Sequence, residues 1–172
     1  DVTFEETAGL VSVHVQLRGN GRIWCELQAP QQLSLGRSFS PGSVAPAVSL
    51  QAEDITTGVH PPVVASVGLP FLIVELRDRA ALARARPSLP DFEALVAQGL
   101  DMPYVHLYVR SSDEFDLYAR MFSPLDGPAE DPATGSANCA LVALFTQLNT
   151  AAGGEVTWRI RQGGEMGRPS GL

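Results

Sequence analysis

The stretch that most constrains this chain runs from Glu130 to Phe145, where an acidic turn leads through a glycine into an apolar segment. Pro132 fixes its own φ and disfavours the helical conformation for the residue before it, so we expect Asp131 to precede the helix. From Ala137 to Leu148 the apolar residues leave no polar face, which predicts a helix buried on all sides.

The start of this predicted helix has two interpretations. Thr134 and Ser136 are both good N-cap candidates, and Gly135 would let the backbone approach a ligand closely. The amides of a first helical turn need partners, and a bound anion supplies them because the helix dipole favours negative charge there. A capped core helix after an ordinary turn fits the same residues, which leave both interpretations open.

Composition excludes several kinds of protein. The 172 residues, 45% hydrophobic and 18% charged, are typical of a globular chain of one domain or two small lobes. No apolar run is long enough for a membrane span, and a net charge of −7 argues against nucleic acid or membrane partners. All 12 basic residues are arginine, so this chain supplies no lysine for a Schiff base or a general base.

Cysteine and histidine give no metal pattern. Cys25 and Cys139 lie on different apolar elements without CxxC spacing, and the three histidines, His14, His60 and His106, are scattered. We therefore expect no metal site, and we expect reduced thiols in a cytoplasmic protein.

Periodicity along the chain predicts an α+β fold. A strand at residues 11–17 and its return at 23–27 flank Asn20-Gly21, a strong hairpin signal. Residues 29–47 are rich in Pro, Gln, Ser and Gly, and we interpret them as a loop and the best candidate for a lobe boundary. The other predicted strands cover residues 63–67, 70–76, 104–109, 115–122 and 156–161, and the other predicted helices cover residues 50–55, 78–85 and 91–98.

Two motifs carry a resemblance to a known protein family. The first is Asp131-Pro132-Ala133-Thr134-Gly135-Ser136-Ala137, and the second, after the helix, consists of Gln162-Gly163 and Met166-Gly167-Arg168-Pro169-Ser170. Both resemble motifs of the PhzF family. These are the phenazine-biosynthesis isomerase and its relatives, within the diaminopimelate epimerase-like fold. Gly68-Leu69-Pro70-Phe71-Leu72 and Arg120-Met121-Phe122 add to the match, which covers essentially the whole chain.

The resemblance implies mostly antiparallel sheets curled around a central buried helix, in two lobes with the active site between them. Residues 1–42 would be the closing strands of an incomplete N-terminal lobe. Residues 47–172 would form the C-terminal lobe, with its central helix at 137–149 and a tail that returns toward the first lobe.

The resemblance also implies the chemistry. Family members need no metal or organic cofactor and move protons on small carboxylate-bearing substrates. Asp131 and Ser136 match the family's catalytic aspartate and serine. Asp131 could orient a substrate or relay a proton, and Ser136 could bind an anionic oxygen beside the amides of Gly135 and Ala137. Thr134, Gly135, Ser136 and Ala137 would therefore bind substrate.

Thr134 argues against a racemase. Thiol-dependent racemases of this fold place a catalytic cysteine directly before the glycine of this loop, where this chain has Thr134. A hydroxyl does not readily deprotonate an α-carbon near neutral pH, because its pKa lies far above that of a thiol. Cys139 is expected to be a core thiol.

The family's catalytic glutamate and a pocket histidine belong to the first half of the polypeptide, and this chain opens at Asp1 inside a predicted strand. We therefore expect a missing N-terminal segment of the same protein to complete the site. A cytoplasmic biosynthetic homodimer that acts on a small anionic substrate is the family expectation. The alternative is a non-catalytic relative or fragment that serves as a binding or interaction module.

Overall fold

A computed structural model describes residues 1–6, 9–19, 21, 23–149 and 155–172. The strands are Val2–Glu6 (β1), Gly9–Leu17 (β2), Ile23–Leu27 (β3), Ser34–Ser38 (β4), Val63–Ser66 (β5), Pro70–Glu75 (β6), Val105–Arg110 (β7), Leu117–Phe122 (β8), Glu130–Asp131 (β9), Ile160–Gln162 (β10) and Ser170–Gly171 (β11). The α-helices are Pro41–Val44 (α1), Arg79–Arg84 (α2), Leu89–Ala97 (α3) and Gly135–Leu148 (α4), and 3₁₀ turns cover Pro46–Val48, Ala52–Asp54 and Gly164–Met166.

The first three strands form a small antiparallel sheet of their own. Val13 of β2 lies between Val2 of β1 and Leu27 of β3, so the predicted pairing of β2 with β3 is confirmed. Alternation gathers the valines of β2 and their apolar partners on one face, whereas His14 lies on the other face, as its place on the polar side predicted. The predicted two-residue turn includes Asn20, which lies outside the described residues.

The remaining strands form one larger mixed sheet, in the order β11-β10-β8-β7-β6-β5-β4, with β9 paired to β8. β6 pairs parallel with β7, and β8 pairs parallel with β10, whereas the other neighbours are antiparallel. This arrangement confirms the predicted α+β class.

Two predictions inside this sheet are wrong. The segment predicted as a loop at 29–47 contains β4, which pairs with β5, and α1, which Ser40 caps. β4 is an exposed edge strand of Ser, Gly and Arg with one leucine, so it carries no apolar alternation. At the other end, only Ile160 and the two residues after it are in β10, although the alternating pattern predicted a strand from Val156.

Helices cover both faces of the larger sheet. Val105, Leu107 and Val109 of β7 point toward the core beneath α1, α2 and α3, whereas His106 and Tyr108 point toward α4. This alternation creates two apolar cores with the sheet between them. The predicted division of the chain into residues 1–42 and 47–172 stays a prediction, although β4 pairs within the larger sheet.

The predicted central helix is confirmed as α4. Ala137, Ala140, Leu141 and Leu144 are fully buried against the sheet. The opposite side is less covered than the composition predicted, because Cys139, Val142 and Ala143 are half-buried and residues 146–149 are exposed. Burial on all sides is therefore wrong for this chain, and the less covered side of α4 lies toward the small sheet.

Candidate active site

The motif turn connects β9 to α4. Asp131 ends β9, opposite Met121 of β8, and α4 begins at Gly135, so Asp131 precedes the helix as predicted. Thr134 occupies the N-cap position but its side chain does not cap the helix. Its hydroxyl donates instead to Asp131 Oδ2 at 2.5 Å. Ser136 lies inside the first turn and is not a cap.

A buried amide holds this turn from behind. Gln162 Nε2 donates to the carbonyl oxygen of Asp131 at 2.8 Å and to Thr134 Oγ1 at 2.9 Å. Gln162 Oε1 accepts from the backbone N–H of Thr134 at 3.2 Å and from Asn138 Nδ2 at 2.9 Å. The side chain of a single residue in β10 therefore fixes both ends of the turn.

Asn138 extends this contact into the sheet. Its Nδ2 also donates to the carbonyl oxygen of Thr134 at 2.9 Å, and its Oδ1 lies 3.1 Å from His106 Nε2. Burial lowers the pKa of His106 from 6.5 to about 4, and the hydrogen bond to Asn138 offsets only part of that effect. His106 is therefore a neutral imidazole near neutral pH.

From the sequence, no role in the site was assigned to Gln162, Asn138 or His106. Gln162 was part of the tail that carries the resemblance, and Asn138 is the one amide in the first three turns of an apolar helix. A buried polar residue in such a helix needs a partner, and that requirement was the available signal.

The tail packs directly on the motif turn. Gly163 has φ of +76°, and a Cβ atom at this position would lie 2.4 Å from the carbonyl oxygen of Arg168 and 2.8 Å from that of Pro132. Glycine is therefore required, because any side chain here would push the tail away from the turn.

A second anchor lies just before the motif. Arg120 in β8 makes a bidentate ion pair with Glu130, with both N–O distances 2.7 Å. Its Nη1 also donates to the carbonyl oxygens of Leu82 and Ala85 in α2 and after it. Because Arg120 is buried and fully engaged, its role is to fix β9 rather than to bind a ligand.

A cavity of about 600 Å³ lies between the small sheet and the first turns of α4. Ser136 is in its wall, and Asp131 is not, so the structure does not bring the two predicted catalytic residues to one cavity. Within the described part of the chain, the amides of Gly135, Ser136 and Ala137 donate to no acceptor. The wall consists of Glu6, Val11, Leu27, Ala29, Pro30, Gln31, Val67, Gly68, Leu69, Ser136 and Cys139.

Cys139 differs from the core thiol that the sequence predicted. It packs against the core beneath α4 and also lies in the cavity wall. Burial raises the pKa of its thiol, which disfavours the thiolate that racemase chemistry needs. Thr134, at the position of the racemase cysteine, is buried and engaged with Asp131 and Gln162.

The other two histidines lie outside the cavity wall. His60 is buried, donates from Nδ1 to the carbonyl oxygen of Pro61, and has its Nε2 2.9 Å from the hydroxyl of Tyr108. His14 is exposed and contacts Asp1 and Gln16. Among the described residues, no group of three or more His, Cys, Asp or Glu is placed to hold a metal ion, and no helix combines the length and the apolar character needed to cross a bilayer.

The fold and the motif turn define a class of isomerase- and epimerase-like proteins. The model of the phenazine biosynthesis-like protein family, PhzC-PhzF, matches residues 1–172, and the chain belongs to this family.

Curated relatives carry the same class name. An uncharacterised isomerase from Mesorhizobium japonicum is 28% identical over 96% of this chain and 56% of its own length. An uncharacterised isomerase from Deinococcus radiodurans is 30% identical over 96% of this chain and 54% of its own length. The chain thus spans little more than half the length of these relatives.

Solved structures agree on the fold. A predicted epimerase from Pseudomonas aeruginosa is 29% identical, with a TM-score of 0.75, over 99% of this chain and 57% of its own. A PhzF-family phenazine biosynthesis protein from Bacillus anthracis is 21% identical, with a TM-score of 0.81, over 98% of this chain and 57% of its own, which supports the fold alone.

Proposed function

We propose that this chain forms one wall of the active site of a cofactor-independent isomerase, which moves protons on a small carboxylate-bearing substrate. The observation that carries the proposal is the cavity beside the first turn of α4, where Ser136 lies next to unpaired backbone amides. The proposed substrate binds between the β1–β3 sheet and α4.

The first turn of α4 suits a carboxylate or an enolate-like oxygen. The unpaired amides of Gly135, Ser136 and Ala137 and the positive end of the helix dipole both favour negative charge. Gly135 leaves open space where a Cβ atom would stand, so a substrate oxygen can approach the backbone. Donors that are already fixed in place stabilise a developing oxyanion without reorganisation.

Asp131 is the proposed proton-transfer or orienting group on this side. It is half-buried, and among the described residues only Thr134 donates to its carboxylate. A positioned carboxylate is a suitable general acid or base once the substrate reaches it. Because Asp131 is outside the cavity wall, the proposed substrate must extend from Ser136 past the start of α4.

The second acid/base group is proposed to come from outside this chain. One face of the β1–β3 sheet is apolar and largely exposed, with Phe4, Leu17 and Ile23 at 50%, 78% and 69% exposure. We propose that an N-terminal segment of the same protein covers the part of this face that lies outside the cavity wall and brings the glutamate that the resemblance implies. The homodimer and the cytoplasmic location stay predictions.

Exchange of substrate hydrogen with solvent tests this proposal without knowledge of the product. The full-length polypeptide that carries this chain is incubated in D₂O and EDTA with a panel of small unsaturated or cyclic amino and hydroxy acids. Proton NMR then follows the loss of C–H signals. We expect exchange with at least one compound, and a fall of about 10²-fold or more in both Asp131→Asn and Ser136→Ala.

Two exposed positions provide matched controls. Asp101→Asn and Ser112→Ala change the same chemical groups outside the motif turn and the cavity wall, and both should keep wild-type exchange. Binding of a carboxylate without exchange of any hydrogen would favour the non-catalytic binding module instead. Wild-type rates in Asp131→Asn and Ser136→Ala would contradict the site assignment.

A further inference from the structure

Five side chains form a hydrogen-bonded chain that runs in one direction from the sheet to the motif turn. They are His106, Asn138, Gln162, Thr134 and Asp131, and the first four are each more than nine-tenths buried. We propose that Thr134 binds Oδ2 of Asp131 and that Gln162 holds Thr134 in place, so that both are positioning residues and Oδ1 is the oxygen that exchanges the proton. This inference rests on the proposed function.

The orientation of the Gln162 amide follows from its four partners. The backbone N–H of Thr134 and the Nδ2 of Asn138 are donors, so the atom that faces them must be Oε1. The carbonyl oxygen of Asp131 is an acceptor, so the atom that faces it must be Nε2. A flipped amide would oppose donor to donor twice, and Nε2 therefore also donates to Thr134 Oγ1, 2.9 Å away.

The direction of the hydrogen bonds at Thr134 follows from the orientation of the Gln162 amide. A hydroxyl has a single proton, and Thr134 Oγ1 already accepts from Gln162. Its own proton is therefore donated to Asp131 Oδ2, at 2.5 Å. This hydrogen bond occupies one lone pair of Oδ2 and stabilises negative charge on that oxygen, so a proton that Asp131 gains or releases is favoured on Oδ1, to which no described residue donates.

The contacts at the buried end of the hydrogen-bonded chain are consistent with this direction. Both protons of Asn138 Nδ2 have acceptors, in Gln162 Oε1 and the carbonyl oxygen of Thr134. Its Oδ1 must accept, so His106 donates from Nε2 and carries no proton on Nδ1. His106 Nδ1 is buried without a hydrogen-bond partner among the described residues, so no opposing donor reaches this end.

The inference gives Thr134 a role different from the substrate contact that the sequence predicted. Its hydroxyl donates its one proton to Asp131 and accepts from Gln162, so Thr134 has no side-chain proton left to donate to a substrate. At the position of the racemase thiol, this chain therefore has a group that orients the carboxylate instead of reacting.

NMR tests the direction of the hydrogen-bonded chain independently of activity. In ¹⁵N-labelled protein the two Nε2 protons of Gln162 should give separate signals that both exchange slowly with solvent. In Thr134→Val the Nε2 proton that faced Oγ1 should lose protection at least tenfold, while the Nε2 proton that is donated to the carbonyl oxygen of Asp131 keeps its protection. Thr134→Ser, which retains the hydroxyl, should restore both signals.

Kinetics tests the positioning role in the full-length polypeptide. Thr134→Val should lower kcat by about 10- to 100-fold with KM within about twofold, because the substrate still binds but the carboxylate is no longer fixed. Thr134→Ser should recover most of kcat, and thermal melting confirms that both variants fold.

Each outcome decides a separate point. Wild-type kcat in Thr134→Val, or equal losses in Thr134→Val and Thr134→Ser, would overturn the positioning role. Protection of fewer than two of the Gln162 Nε2 protons would overturn the proposed direction of the hydrogen-bonded chain, whatever the activity. An absence of proton exchange in the wild type, with both Gln162 protons protected, would overturn the proposed function and not the direction.

Discussion

The buried imidazole of His106 should make stability depend on pH below the ordinary pKa of histidine. Burial lowers its pKa from 6.5 to about 4 in the folded chain. As the pH falls through 6.5 the unfolded chain takes up a proton, whereas the folded chain does so only near 4. The unfolded state therefore holds more protons in this range, and the free energy of unfolding falls as the pH falls.

The size of the effect follows from the two pKa values. Each tenfold ratio of ionisation constants corresponds to about 1.4 kcal/mol, so the difference between pKa values of 6.5 and about 4 corresponds to about 3–4 kcal/mol. This contribution is complete above pH 7 and is lost by about pH 4. It is a large part of the roughly 5–15 kcal/mol that stabilises a typical domain.

Urea unfolding of three proteins between pH 7 and pH 4.5 measures this contribution. His106→Gln removes the titrating group and leaves an N–H donor within reach of Asn138, so its stability should depend less on pH than that of the wild type by about 2–3 kcal/mol over this range. His14→Gln is the matched control, because His14 lies on the exposed face of the small sheet, and it should follow the wild type. Identical pH dependence in the wild type and His106→Gln would refute the argument.

Two further predictions use pairs of like residues within the chain. Gly163→Ala should lower the free energy of unfolding by at least about 2 kcal/mol, because a Cβ atom there meets two backbone oxygens at 2.4 and 2.8 Å, whereas Gly164→Ala, with open space, should change it by less than about 0.5 kcal/mol in the same urea assay. In the isolated 172-residue chain, iodoacetamide at pH 7.5 should alkylate the exposed Cys25 at least about tenfold faster than Cys139, because burial raises the pKa of the Cys139 thiol, and peptide mass spectrometry over time would contradict this if Cys139 reacted first.

The sequence predicted those elements that carry a clear apolar pattern, even where, as in β2, that pattern lies on a largely exposed face. β2 alternates, β6 is continuously apolar and α4 is apolar over its first three turns, and all three are present with bounds close to the prediction. β4 was missed because an exposed edge strand of polar residues is held by backbone hydrogen bonds to β5, which leave no side-chain pattern. The strand at 156–161 was predicted too long for the converse reason, since Val156 alternates with its neighbours but the pairing with β8 begins at Ile160.

The site was predictable only where a local motif marks it. Asp131 and Ser136 stood out because both lie within seven residues of one recognisable turn. Gln162 contacts Asp131 and Thr134 across 31 and 28 positions of sequence, through an amide that has no periodicity and no charge. Contacts of this kind depend on how β10 pairs with β8, which the sequence of either strand alone does not determine.

Thr134 shows the difference between what the identity of a residue predicts and what only its contacts in the structure reveal. Its place before Gly135 was enough to argue against thiol chemistry, because that argument needs only the identity of one side chain. What the hydroxyl does in place of a thiol depends on its neighbours, Gln162 on one side and Asp131 on the other. A thiol at this position would make weaker hydrogen bonds to Gln162 and Asp131, since sulfur is a weak acceptor and a weak donor. Replacement of the racemase cysteine by threonine therefore exchanges a reactive group for one that can hold the Asp131 carboxylate in a single orientation.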